Sequence, residues 1–116
     1  MYTAVILDEK SRSQLLAQLI IPEGWEIIAD HVTINMGAAK NVQLGSCVDL
    51  IVKSYALDDR VMAVAVDGDI PSDNEIKHIT IAVNRRNGGK PVHSNKLTNW
   101  IAIPELIVSG AVQEVK

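Results

Sequence analysis

No phenylalanine occurs in this chain of 116 residues, and its aromatic side chains amount to two Trp and two Tyr. That excludes a core of stacked rings. With 47% hydrophobic residues, the core has to come from Val, Ile, Leu, Ala and Met, and abundant β-branched residues favour sheet. A single cysteine, Cys47, excludes an intramolecular disulfide framework and suits a reducing compartment. Its side chain is expected to act as a small buried hydrophobe. MYTAVILDEK at the start has neither a basic leader nor a long apolar run, so no signal peptide is expected. No stretch nears the roughly 18 uninterrupted apolar residues of a membrane span. A soluble, cytoplasmic protein is the expectation. Excess positive charge is lacking too: 11 basic residues stand against 14 acidic ones, a formal charge of −3. A broad surface for duplex nucleic acid is therefore not expected, although a small anion could still sit in a local pocket.

The length suits one compact domain over residues 1–116. YTAVILD at 2–8 reads as a first strand, and EKSRSQLLAQLI as a helix with Asp8 at its N-cap. PEG at 22–24 turns the chain into WEIIADHVTINM, a strand or a strand pair bent near Ala29 and Asp30. After the loop GAAKNVQLGS, VDLIVKSYALDD and RVMAVAVDGD form a hairpin with Asp58 and Asp59 near its turn. IPSDNE leads into the strand KHITIAVNRR. The Gly-, Pro-, Ser- and Asn-rich NGGKPVHSNKLTNW is a loop with a short helix near Ser94–Trp100. ELIVSGAVQEV is the last strand, bent at Gly110. One helix among about six strands predicts an α+β fold with mainly antiparallel sheets.

Two strands share a local pattern. WEIIADHVTINMG and NEIKHITIAVN each place an Ile before a His-x-Thr, interleave apolar residues and follow with an Asn. Side chains two apart point to one face of a strand. His31, Thr33 and Asn35 therefore share a face opposite Val32, Ile34 and Met36. His78, Thr80 and Asn84 oppose Ile79, Ile81 and Val83. Imidazole and hydroxyl lie about 7 Å apart along each backbone. An imidazole takes or gives a proton near physiological pH, so two of them flanking one substrate atom supply a general base and a general acid together. Two hydroxyls could hold the non-bridging oxygens of a phosphodiester. That set fits in-line phosphoryl transfer without a metal or other cofactor. Either His-x-Thr alone would be an ordinary half-exposed strand; the repetition with shared flanks favours function.

HVT at 31–33 and HIT at 78–80, each inside a hydrophobic strand, resemble the paired signature of the two-histidine phosphoesterases. HITIAVNRRNGGKPVHSNKL is similar to small RNA-repair-associated members that hydrolyse 2′,3′-cyclic phosphates. The resemblance implies a compact bilobal fold, with lobes related by a pseudo-twofold axis and both motif strands lining a central cleft. It implies His31 and His78 as the catalytic pair and Thr33 and Thr80 as phosphate-binding hydroxyls. The substrate is then an RNA 3′ end or a nucleotide carrying a cyclic phosphate. Cleavage of cyclic nucleotide messengers by the same residues is an alternative, and so is a non-catalytic module that binds RNA ends or nucleotides.

The loop after the second motif supplies further candidates. Gly88 and Gly89 would let the backbone approach a ligand, and Lys90, Ser94 and Asn95 could bind substrate; equally, Lys90 could be only solvated. Arg85 and Arg86 point to opposite faces, so at most one reaches the site. His93 reads as a surface histidine, and a metal site from His31, His78 and His93 is the weaker reading. Trp25 and Trp100 read as core. Asp30, next to His31 on a regular strand, would face away from it.

Overall fold

The computed structural model describes residues 1–116. Its strands are β1 (Tyr2–Leu7), β2 (Glu26–Ile27), β3 (His31–Met36), β4 (Cys47–Leu57), β5 (Val61–Asp67), β6 (His78–Val83) and β7 (Ile101–Val115). One helix, α1 (Glu9–Ala17), follows β1, and 3-10 turns occupy Arg85–Asn87 and Pro91–Lys96. Asp8 caps α1 by accepting from the Ser11 amide at 2.7 Å. That bond is the main reason its carboxyl is held below the usual range.

The strands form one antiparallel sheet in the order β2-β6-β3-β1-β7-β4-β5, and β5 pairs back onto β6. Six of them thereby close into a barrel, with β2 as a short addition beside β6. This overturns the expected bilobal α+β fold with a central cleft: there is one closed sheet, not two lobes. The reason is long-range pairing. A closed barrel leaves no edge strands along its staves, and the β1–β7 and β5–β6 ladders join segments far apart in sequence.

The interior is aliphatic, as the composition requires. Val5, Val32, Ile34, Leu50, Val52, Met62, Val64, Ile79, Ile81 and Val108 are all fully or almost fully buried in one cluster, joined by Leu15 of α1. Cys47 is exposed, not buried as expected; it opens β4, outside that cluster. A smaller cluster of Ala56, Val61, Ala63, Val83 and Leu97 lies outside the barrel, beneath Trp100.

Both motif strands carry a bulge at the same place. Opposite β1, partners run from Thr33 to Asn35 and skip Ile34; opposite β5, they run from Thr80 to Ala82 and skip Ile81. An extra residue reverses the alternation beyond it. Asn35 and Asn84 therefore leave the faces on which strict alternation put them. Asn35 is buried and bonds the Met36 and Ala38 carbonyls, while Asn84 reaches the Asp59 carbonyl in the β4–β5 turn.

Gly110 marks the closest approach of β7 to β1. A Cβ there would stand 2.2 Å from the Ile6 carbonyl oxygen and 2.9 Å from Val5 Cγ1. The obstacle is backbone in a ladder, which cannot swing aside. Gly110→Ala is expected to destabilise the barrel by at least the 1–3 kcal/mol or so typical of overpacking. Urea denaturation checks this, and an unchanged midpoint would show that the two strands can part without cost.

Candidate active site

Val32 and Ile79 are paired neighbours on antiparallel β3 and β6, and both point into the barrel. Side chains on either side of them must point outward. Continuing the register one step each way sets His31 beside Thr80 and Thr33 beside His78. The two motifs thus form a four-cornered patch on the outer wall of the barrel, with the histidines at diagonal corners. Diagonal neighbours on an antiparallel pair stand about 7–8 Å apart, which leaves room for a phosphate between two rings.

Residues 91–97 fold over the second motif. The Thr80 hydroxyl lies 2.9 Å from that of Ser94, which is itself buried, and makes a long 3.5 Å contact to the Pro91 carbonyl. His78 is 8% exposed, whereas His31 is only half-buried. Their partners differ as well. His78 Nδ1 meets the Ile76 carbonyl at 2.8 Å; a carbonyl can only accept, so Nδ1 carries the hydrogen and Nε2 is left with its lone pair. Burial pushes the His78 imidazole below its usual value, the Ile76 bond opposes this, and the charge of His31 lowers it further. That last effect means the two rings sense each other.

His31 Nδ1 is bonded to the Asp30 carboxylate. The expectation that Asp30 faces away fails because the chain is not a regular strand there: Ala29 has φ +45° and β3 begins only at His31. Tyr2 stacks on His31, with ring centroids 5.1 Å apart and planes at 40°. Nothing in the sequence pattern points to Tyr2. Asp30 had one signal, its adjacency to a motif histidine, and the kink that makes it count is invisible to periodicity.

Beside the patch runs a groove of about 470 Å³. His78 and Ser94 line it, with Asn74 and Ile76 on one wall and Asn95 and Lys96 on the other. The structure therefore brings Ser94 and Asn95 to the site. Lys90 is exposed and is not among the lining residues; Lys96, which the sequence pattern did not single out, is the lysine of the groove. Trp100 packs on the outer cluster and also lines the groove.

Other loop candidates have structural duties. A Cβ on Gly89 would stand 2.2 Å from the Arg60 carbonyl oxygen, so that glycine serves close packing. Arg85 is tied to Glu26 and to the Gly89 carbonyl. His93 Nδ1 accepts from the Lys90 amide at 3.1 Å. His31, His78 and His93 do not converge on a metal-holding position.

No curated protein and no solved structure matches the chain. A family model does match, over residues 10–114: the fungal tRNA ligase phosphodiesterase domain. The match covers all but the ends of the chain and includes both histidine strands and the groove between their loops. The chain belongs to the family of fungal tRNA ligase phosphodiesterase domains.

Proposed function

We propose that the protein hydrolyses 2′,3′-cyclic phosphates at RNA ends without a metal, using His31, Thr33, His78 and Thr80. The observation that carries this reading is the pairing of Val32 with Ile79, because it sets the two His-x-Thr triplets side by side and facing outward. The family supports a phosphodiester substrate in RNA. Binding alone would be served by fixed cations; two titratable rings beside two hydroxyls suit proton transfer.

The surroundings divide the roles that the motifs leave symmetric. His78 is neutral at lower pH than a free imidazole and presents the Nε2 lone pair, so it removes a proton from the attacking water. The water oxygen forms a bond to phosphorus as the bond to one ribose oxygen breaks. His31, protonated on Nε2, gives its proton to that departing oxygen. Thr33 and Thr80 donate to the phosphoryl oxygens, whose charge grows in the transition state. The product is a phosphomonoester with one ribose hydroxyl restored. The nucleoside lies in the groove, along Asn95 and Lys96.

Three outcomes follow. Turnover of RNA ending in a 2′,3′-cyclic phosphate should survive chelator. His31→Ala and His78→Ala should each lose roughly 10²–10⁴-fold, and the double variant far less than the product of the two. Thr33→Val should lose about 1.5–3 kcal/mol of transition-state stabilisation, the worth of a charge-assisted hydrogen bond. Binding without turnover would indicate a recognition module. Turnover of cyclic dinucleotides in preference to RNA ends would move the substrate to messengers.

The pH profile has a defined sign. Burial disfavours the His78 imidazolium, so the base form persists below pH 6.5. The acid limb of kcat/KM should therefore fall below pH 6.5, with both limbs belonging to the coupled pair. An acid limb centred clearly above that value would contradict the base role.

A further inference from the structure

Resting on that reading, we infer that Asp30 is a positioning residue for His31: its carboxylate fixes the ring tautomer and aims Nε2 at the phosphate. Strict alternation would send the side chain of residue 30 to the same side as Val32, into an interior of Val, Ile and Leu. A carboxylate there would be strongly disfavoured. The chain avoids this with a local distortion. Ala29, fully buried, takes φ +45°, a left-handed conformation that non-glycine residues seldom adopt. Its amide donates to the Thr80 carbonyl at 3.0 Å, and the Asp30 carbonyl accepts from the Leu7 amide at 2.9 Å. The kink is thus clamped from β6 on one side and β1 on the other.

The register confirms an insertion at this point. Ile27 pairs with Ala82, whereas Val32 pairs with Ile79. Five steps along β2–β3 correspond to three along β6, so two residues are extra. They are accommodated at the turn that brings Asp30 back onto His31.

An ionised carboxylate can only accept, so Nδ1 of His31 must carry a hydrogen. Nε2 is then the atom left for substrate. Tyr2 closes one face of the ring, and the same carboxylate, after burial, pushes the Tyr2 phenol up. Asp30, His31 and Tyr2 therefore form one electrostatic cluster. The ring of His31 is gripped at Nδ1 and on a face, and only rotation that breaks the Asp30 bond could present the wrong nitrogen. His78 needs no such acid, because the Ile76 carbonyl already fixes its tautomer.

A kink that merely keeps an acid out of the core would be satisfied by any small polar residue. Asp30→Asn separates the two ideas, since an amide can flip and donate to a bare Nδ1, which stabilises the opposite tautomer. In Asp30→Asn and Asp30→Ala, kcat on RNA ending in a 2′,3′-cyclic phosphate should drop about 10–100-fold with KM near wild type. Nitrogen chemical shifts of the deprotonated His31 ring should change from the Nδ1–H form to a mixture, while those of His78 stay. Asp30→Glu should restore part of both. A folded Asp30→Asn or Asp30→Ala protein with full kcat, or with the His31 tautomer unaltered, overturns the inference. If His31→Ala itself keeps full turnover, it is the catalytic reading that fails, whatever Asp30 does.

Discussion

Val32 and Ile79 meet where β3 joins β6, and that pairing sets the two histidine strands side by side in the wall of the barrel. Both side chains belong to the interior, where every fully buried side chain is non-aromatic and Trp25 and Tyr55 pack only at its margin. A one-residue slip of either strand would send its apolar side chains out to solvent and turn its histidine and threonine inward. The free energy that holds the register is therefore the burial of small aliphatic side chains. Each such side chain contributes about 1.5–3 kcal/mol when fully buried, and unpaired imidazoles and hydroxyls among them would add a penalty of their own. The core makes the outward patch obligatory.

Much of this was legible in the residues, and the failures share a cause. Runs of apolar, largely β-branched residues between turn residues located β1, β4, β5, β6 and β7, and the Asp8 cap helped to place α1. The bend at Ala29 and Asp30 was legible as a break between two strands. What the chain does not advertise is which strands pair. Two copies of one pattern looked like two lobes, yet a barrel can hold both copies as nearest neighbours in one wall. Closure depends on β5 reaching β6 and β1 reaching β7, contacts that leave no local trace.

The site was legible to the extent that it obeyed alternation. His31, Thr33, His78 and Thr80 lie before the bulges and came out on one outer face. Asn35 and Asn84 lie beyond them and did not. Asp30 lies before the strand begins, where a left-handed alanine undoes the alternation. Ser94 and Asn95 could be guessed because a polar loop after a motif strand has to go somewhere, and covering Thr80 was within its reach. Lys90 and Lys96 flank the same turn, and only the geometry of Pro91–Lys96 decides which one lines the groove.

The repeated triplet is symmetric in sequence and in its bulges, at Ile34 and Ile81, but a hydrolysis needs one group that accepts a proton and another that gives one. Asymmetry has to come from outside the motif. The loop at 91–97 supplies it on one side by burying His78 and Thr80, and nothing comparable covers His31 and Thr33. Behind the rings the backing differs as well, a neutral carbonyl for His78 and a carboxylate for His31. On the proposed reading, a neutral partner suits the ring that takes up a proton, and an anionic partner suits the ring that gives one up. Identical chemistry at two corners of one patch is, on that reading, divided into two roles by what each corner is packed against, and that difference in packing is as much a product of the fold as the patch itself.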